Sequence, residues 1–89
     1  MPEAKDGTEL LHIIAQAVME ETGSSRPPHL SRDTTAGQIP GWDSLIHGRI
    51  LILLEEKLEI QIDIDRTYDM PNMGELADYL ASLRKTRES

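Results

Sequence analysis

The sequence predicts an all-α domain with three main helices, one minor helical turn and a long first loop. Three observations carry this. Apolar residues recur at helical spacing in three separate stretches, near 10–18, 46–58 and 76–83. The one strand-like alternation, Ile60-Gln61-Ile62-Asp63-Ile64, has no second strand pattern to pair with, so it reads as an extended connector. The third observation is length, since 89 residues make one domain. A domain this small buries only about 60% of its unfolded-chain surface. That suits a compact helical bundle and leaves little room for a deep catalytic cleft.

Taken in order, residues 1–7 are polar and read as a flexible N-terminus, followed by a folded domain over 8–85 and a C-terminal tail over 86–89. Thr8 is the expected N-cap of the first helix, with Glu9 in the first turn, where a negative charge is favourable. Leu10, Leu11, Ile14, Ala17 and Val18 form its apolar stripe, and Gly23-Ser24-Ser25 ends it. Residues 24–43 form the long loop, rich in Pro and Gly, with Leu30 and Ile39 expected to pin it to the core. Structureless connections of this length are often functional.

The second helix is expected from Ser44 to Leu58 behind Asp43 as N-cap. Ile50, Leu51, Leu54 and Leu58 centre on its core face, flanked by Ile46 and Leu53. The opposite face carries Leu45, Gly48, Arg49, Ile52, Glu55, Glu56 and Glu59. Leu45 and Ile52 are two apolar residues on a face that ought to be wet. Single exposed apolar residues are ordinary. Beside Ser44, with a glycine for close approach and charges at the rim, these two read as a docking strip instead. Residues 65–69 form the minor turn, stopped by Pro71. Asn72 and Glu75 have capping-box spacing before the last helix, whose stripe is Leu76, Tyr79, Leu80 and Leu83. Arg84, Lys85 and Arg87 suit its C-terminal end.

Charge and composition exclude several function classes. Sixteen acidic against nine basic residues give a formal charge of −7. Such a surface repels phosphate backbones and anionic membranes, and attracts a basic patch on another protein. There is no cysteine, so any thiol that function needs must come from a cofactor. The start lacks the apolar run of a signal peptide, and no stretch approaches the roughly 20 apolar residues of a membrane span. The expected location is cytoplasmic.

Gly41-Trp42-Asp43-Ser44-Leu45 opens the second helix. The free N–H groups and dipole of a helix start favour an anion attached there. Trp42-Asp43-Ser44-Leu45 followed by the 50–60 segment resembles the central helix of acyl carrier proteins, whose motif is Asp-Ser-Leu and then an apolar helix with a Leu-Glu-Glu ending. The segment Asn72-Met73-Gly74-Glu75-Leu76 is similar to the Thr-Val-Gly-Asp-Leu of the same family. The matches together span about residues 39–83.

The resemblance implies an acyl-carrier-like four-helix bundle whose third helix is short. It implies that Ser44 bears 4′-phosphopantetheine, attached by a phosphopantetheinyl transferase that uses coenzyme A. Asp43 would help place the magnesium and coenzyme A. The terminal thiol would carry an acyl or aminoacyl thioester, which fits the absence of cysteine. The chain would then be a stand-alone, monomeric carrier and not an enzyme. A ligase or transferase would load it, and synthase or modifying enzymes would unload it. The pathway could be fatty-acid, polyketide, nonribosomal peptide or specialised. Leu45, Arg49, Ile52, Glu55 and Glu56 form the expected partner face.

The chain also departs from the family. Many fatty-acid carriers have acidic residues where Ile46 and Arg49 stand here. Trp42 and His47 resemble those of discrete carriers in specialised pathways. There is no Phe, and no aromatic near Leu58, which implies a small or differently shaped acyl cavity. The alternative is a helical protein–protein adaptor that keeps this fold and is never modified.

Ser44, His47 and Asp43 invite comparison with a hydrolase triad, but neighbours in sequence do not give triad geometry, and no nucleophile elbow is visible. His47 is expected on the core side, bonded to a loop carbonyl. His12, His29 and His47 lack metal-ligand spacing, and Asp63, Asp65 and Asp69 lack the Gly and terminal Glu of a calcium loop. No metal site is expected.

Overall fold

Among the described residues, four α-helices in chain order build the domain. The computed structural model describes the backbone of residues 2–88 and the side chains of residues 9–84. Proline suits the first helical position, because its φ is preset and its missing N–H would have no intrahelical partner. Pro2 takes that role, and α1 runs Pro2–Thr22. Thr8, the expected N-cap, therefore lies inside α1, and the expected flexible 1–7 segment is helical from Pro2. The preference of Thr for a cap is worth only about 1 kcal/mol, and the helix runs on through Gly7 and Thr8 in spite of it. Gly23 ends α1 in the left-handed region at φ 76°, and its N–H donates to the Met19 carbonyl at 3.0 Å.

Leu10, Ile14, Ala17 and Val18 form the buried stripe of α1, which packs on the second and fourth helices. The long loop holds one short 3₁₀ turn, Ala36–Gln38. Ile39 is buried and Leu30 half-buried, so both pin the loop to the core as expected.

Helix α2 spans Ser44–Leu58 behind the Asp43 N-cap. Ile50, Leu51 and Leu54 are fully buried, with Ile46, Leu53 and Leu58 packed partly against them. Ile60 and Ile62 of the connector are buried while Gln61 and Asp63 are exposed, an alternation with no strand partner. Side chains satisfy the backbone instead. The Ile62 N–H donates to the Glu55 carboxylate at 2.8 Å, and the Asp63 N–H to the Tyr79 hydroxyl at 3.1 Å.

Helix α3 is Ile64–Thr67, starting one residue before the expected 65–69 turn. Tighter bonds carry the turn onward to Met70, ahead of Pro71. Helix α4 runs Met73–Glu88, so the expected 86–89 tail is helical through Glu88. Its good helix formers and basic last turns explain the extension. The first N–H groups of α4 are fully occupied. Met73 donates to the Thr34 carbonyl at 2.8 Å, Gly74 to the Arg32 carbonyl at 2.9 Å, and Glu75 to Asn72 Oδ1 at 2.9 Å. Arg32 closes the clasp with a two-pronged bond to Asp78, at 3.1 and 2.8 Å, which holds that carboxyl below its ordinary range. The long loop is thus stitched to the start of α4. Among the described residues, no helix is long and apolar enough to cross a membrane.

Candidate functional site

The loop arrives at α2 through Gly41, whose φ of 86° favours glycine, and the Trp42 N–H donates back to the Ile39 carbonyl at 3.2 Å. That turn sets Asp43 in extended conformation, with its Oδ1 accepting the Ile46 N–H at 2.9 Å. Ser44 is then the first residue of α2, and it is exposed. One N–H of the helix start is committed to Asp43. Those of Ser44 and Leu45 precede any regular intrahelical partner and face an anion placed at the end of the helix. At the start of α4, by contrast, the loop and Asn72 occupy the corresponding groups.

Behind Ser44 sits an aromatic cluster. His47 is only 7% exposed and gives both ring nitrogens to neighbours. The Trp42 indole N–H donates to His47 Nδ1 at 3.0 Å. An indole nitrogen can only donate, so Nδ1 must be the unprotonated nitrogen. The proton is then on Nε2, which donates to the Thr67 hydroxyl at 2.7 Å, and Thr67 donates onward to the Ile64 carbonyl at 2.6 Å. The expected partner of His47, a loop carbonyl, is replaced by this indole and this hydroxyl. Burial pushes the imidazole below its usual range. The Tyr68 ring lies against the imidazole at 4.2 Å between centroids, and its hydroxyl donates to the Ser44 carbonyl at 3.2 Å. A hollow of about 290 Å³ opens here, walled by Trp42, Asp43, Ser44, His47, Tyr68 and Met73.

With both nitrogens of His47 engaged, Asp43, Ser44 and His47 form no hydrolase relay; Asp43 is turned to the Ile46 N–H. Thr67 and Tyr68 are the site residues that sequence reasoning missed. Each meets the site across more than one helical segment, and no local spacing signals such a pairing.

The expected partner face is assembled in part. Leu45 is 71% exposed and Ile52 is 49% exposed, so the two apolar anchors stand in solvent. Glu56 is exposed as well. Arg49 is not a lone cation, because its Nε donates to Glu21 of α1 at 3.1 Å. Glu55 departs from the expected face. It is half-buried and its carboxylate turns toward the connector to take the Ile62 N–H. A backbone donor with no strand partner draws in the nearest acceptor.

Comparison with protein-family models, with curated proteins and with solved structures found no match.

Proposed function

We propose that this chain is a stand-alone acyl or aminoacyl carrier with an acyl-carrier-like four-helix bundle, and that Ser44 bears 4′-phosphopantetheine. The observation that carries the reading is the placement of Ser44. It is an exposed serine at the first position of a long helix, behind an exposed Asp43 cap. The same helix then presents Leu45 and Ile52 to solvent. An anionic ester at Ser44 would meet the open N–H groups and positive dipole end of α2.

In the modification step, Ser44 Oγ bonds to the pantetheine-side phosphorus of coenzyme A. Adenosine 3′,5′-bisphosphate leaves from that phosphorus, and the serine proton passes to a base on the transferase. Asp43, exposed at the cap beside Ser44, would be the residue of this chain that helps place the magnesium and coenzyme A during transfer. The arm supplies a thiol that forms thioesters. The chain itself supplies the anchor, the platform of Trp42, His47 and Tyr68 behind it, and a face for loading and unloading enzymes. It has no need of a catalytic base of its own.

The absence of cysteine gives a clean test. The chain titrates for no thiol before treatment with a broad-specificity phosphopantetheinyl transferase, magnesium and coenzyme A. After treatment and desalting it should titrate for one thiol per chain. A thiol count that stays at zero supports the unmodified adaptor, in which the exposed Leu45 and Ile52 only dock a partner.

A further inference from the structure

His47 is buried, titratable and committed to bonds that tolerate only one protonation state. Its Nδ1 faces the Trp42 indole N–H, a group that can only donate. Protonating the imidazole would set two N–H donors against each other at a separation of 3.0 Å. It would also place a charge on a residue that is buried. Among the described residues, the ring nitrogens bond to the Trp42 indole and the Thr67 hydroxyl and to no carboxylate. The titratable groups lining the hollow with His47 are Asp43, engaged with the Ile46 N–H, and the Tyr68 phenol. From the 3₁₀ turn comes Ala36, from α3 Thr67, and from the start of α4 Asn72, Met73 and Leu76, none of them charged. Burial pushes the imidazole below its usual range, and the indole donor on Nδ1 opposes protonation further.

His47 contacts one residue that bonds to Ser44 and one that lies in the turn leading into it. Trp42 stands two residues before the serine, and Tyr68 both lies tilted against His47 and donates to the Ser44 carbonyl. We propose that His47 is a positioning residue for the modification of Ser44: its neutral ring fixes Trp42 and Tyr68 around the serine, and its protonation releases them and slows attachment. This rests on the carrier reading of Ser44. The imidazole takes no proton from the serine and touches no reacting atom. It acts through the two rings that set the start of α2.

Two readouts on the full chain test this. Trp42 is the only tryptophan, so its indole N–H gives a single NMR signal. That signal should move with His47 titration, at a midpoint below the ordinary imidazole value of about 6.5. Initial rates of Ser44 modification, with one transferase, are then compared for wild type and His47→Asn across the same pH values. The Asn carbonyl can still accept the indole N–H and does not titrate, and the ratio cancels the transferase's own pH dependence. The wild-type to His47→Asn rate ratio should fall by roughly fivefold or more as His47 goes from neutral to mostly charged, a free-energy change of about 1 kcal/mol. In Trp42→Phe, which removes the opposing donor, the midpoint of His47 should rise and the fall should shrink.

A ratio that stays flat while His47 titrates overturns the proposal. So does an indole signal indifferent to that titration, or a His47 that stays neutral until the chain unfolds in acid. Wild type that gains no arm at neutral pH overturns the carrier reading instead. The indole titration is read on the unmodified chain and is independent of that result.

Discussion

His47 shows how much a single side chain can commit. Its two nitrogens tie the loop to α3 through Trp42 and Thr67, and its ring supports Tyr68. Because burial lowers its pKa in the folded state, the unfolded chain binds a proton near pH 6.5 that the folded chain does not. Stability is therefore full above that value. It falls as pH drops from there toward the folded pKa, by up to about 1.4 kcal/mol per pH unit, and levels off below it. Urea unfolding at a series of pH values should show this slope in wild type and not in His47→Asn, once the slope shared by both chains is subtracted. Parallel curves would mean the ring is not held neutral. The sequence made part of this visible. Asp43 as a cap, Ser44 at the helix start and His47 on the core side all follow from one helical period. Thr67 lies twenty positions from His47, and no periodicity reaches across a connector to pair them.

At the scale of elements, two glycines on different helices predict opposite effects. A Cβ at Gly48 of α2 meets nothing within 4 Å. Gly48→Ala should therefore stabilise the fold by roughly 0.5–1 kcal/mol, since it removes backbone freedom from the unfolded chain at no steric cost. A Cβ at Gly74 of α4 would sit 2.9 Å from Arg32 Cβ and 3.0 Å from the Arg32 carbonyl oxygen. Gly74→Ala pushes the loop off the start of α4 and should cost about 1–3 kcal/mol. Thermal melts of the two variants should shift in opposite directions, and a shared direction would mean that the clasp yields freely. The bounds of α2 were legible because a cap and an apolar period agree there. The start of α1 was not, because Pro2 and Thr8 both signal a helix beginning and the chain continues through the second. The clasp between residues 32–34 and α4 was illegible for a different reason. Its backbone carbonyls leave no mark on side-chain pattern, and its side-chain pair, Arg32 and Asp78, lies 46 positions apart, beyond any local spacing.

For the whole molecule, the thin core makes each central residue count. Leu54 is fully buried where α2 meets its neighbours, while Ile52 stands on the opposite face. Leu54→Ala should cost roughly 2–5 kcal/mol, close to the whole stability of about 5 kcal/mol usual for so small a domain. Ile52→Ala should change stability by about 0.5 kcal/mol or less. Urea titration separates them, and equal losses would mean that Ile52 serves the core. The exposed face of α2 carries Leu45 beside the serine, Ile52 and Glu56 farther along the helix, and Arg49 tied back to Glu21. Such a face suits partners that bring basic residues, and it is useful to a carrier only if Ser44 holds an arm. The most direct measurement is the intact mass of wild type and Ser44→Ala after incubation with coenzyme A, magnesium and a broad-specificity phosphopantetheinyl transferase. The account predicts a gain of one phosphopantetheine in wild type and none in Ser44→Ala. An unchanged wild-type mass, or the same gain in Ser44→Ala, would contradict it.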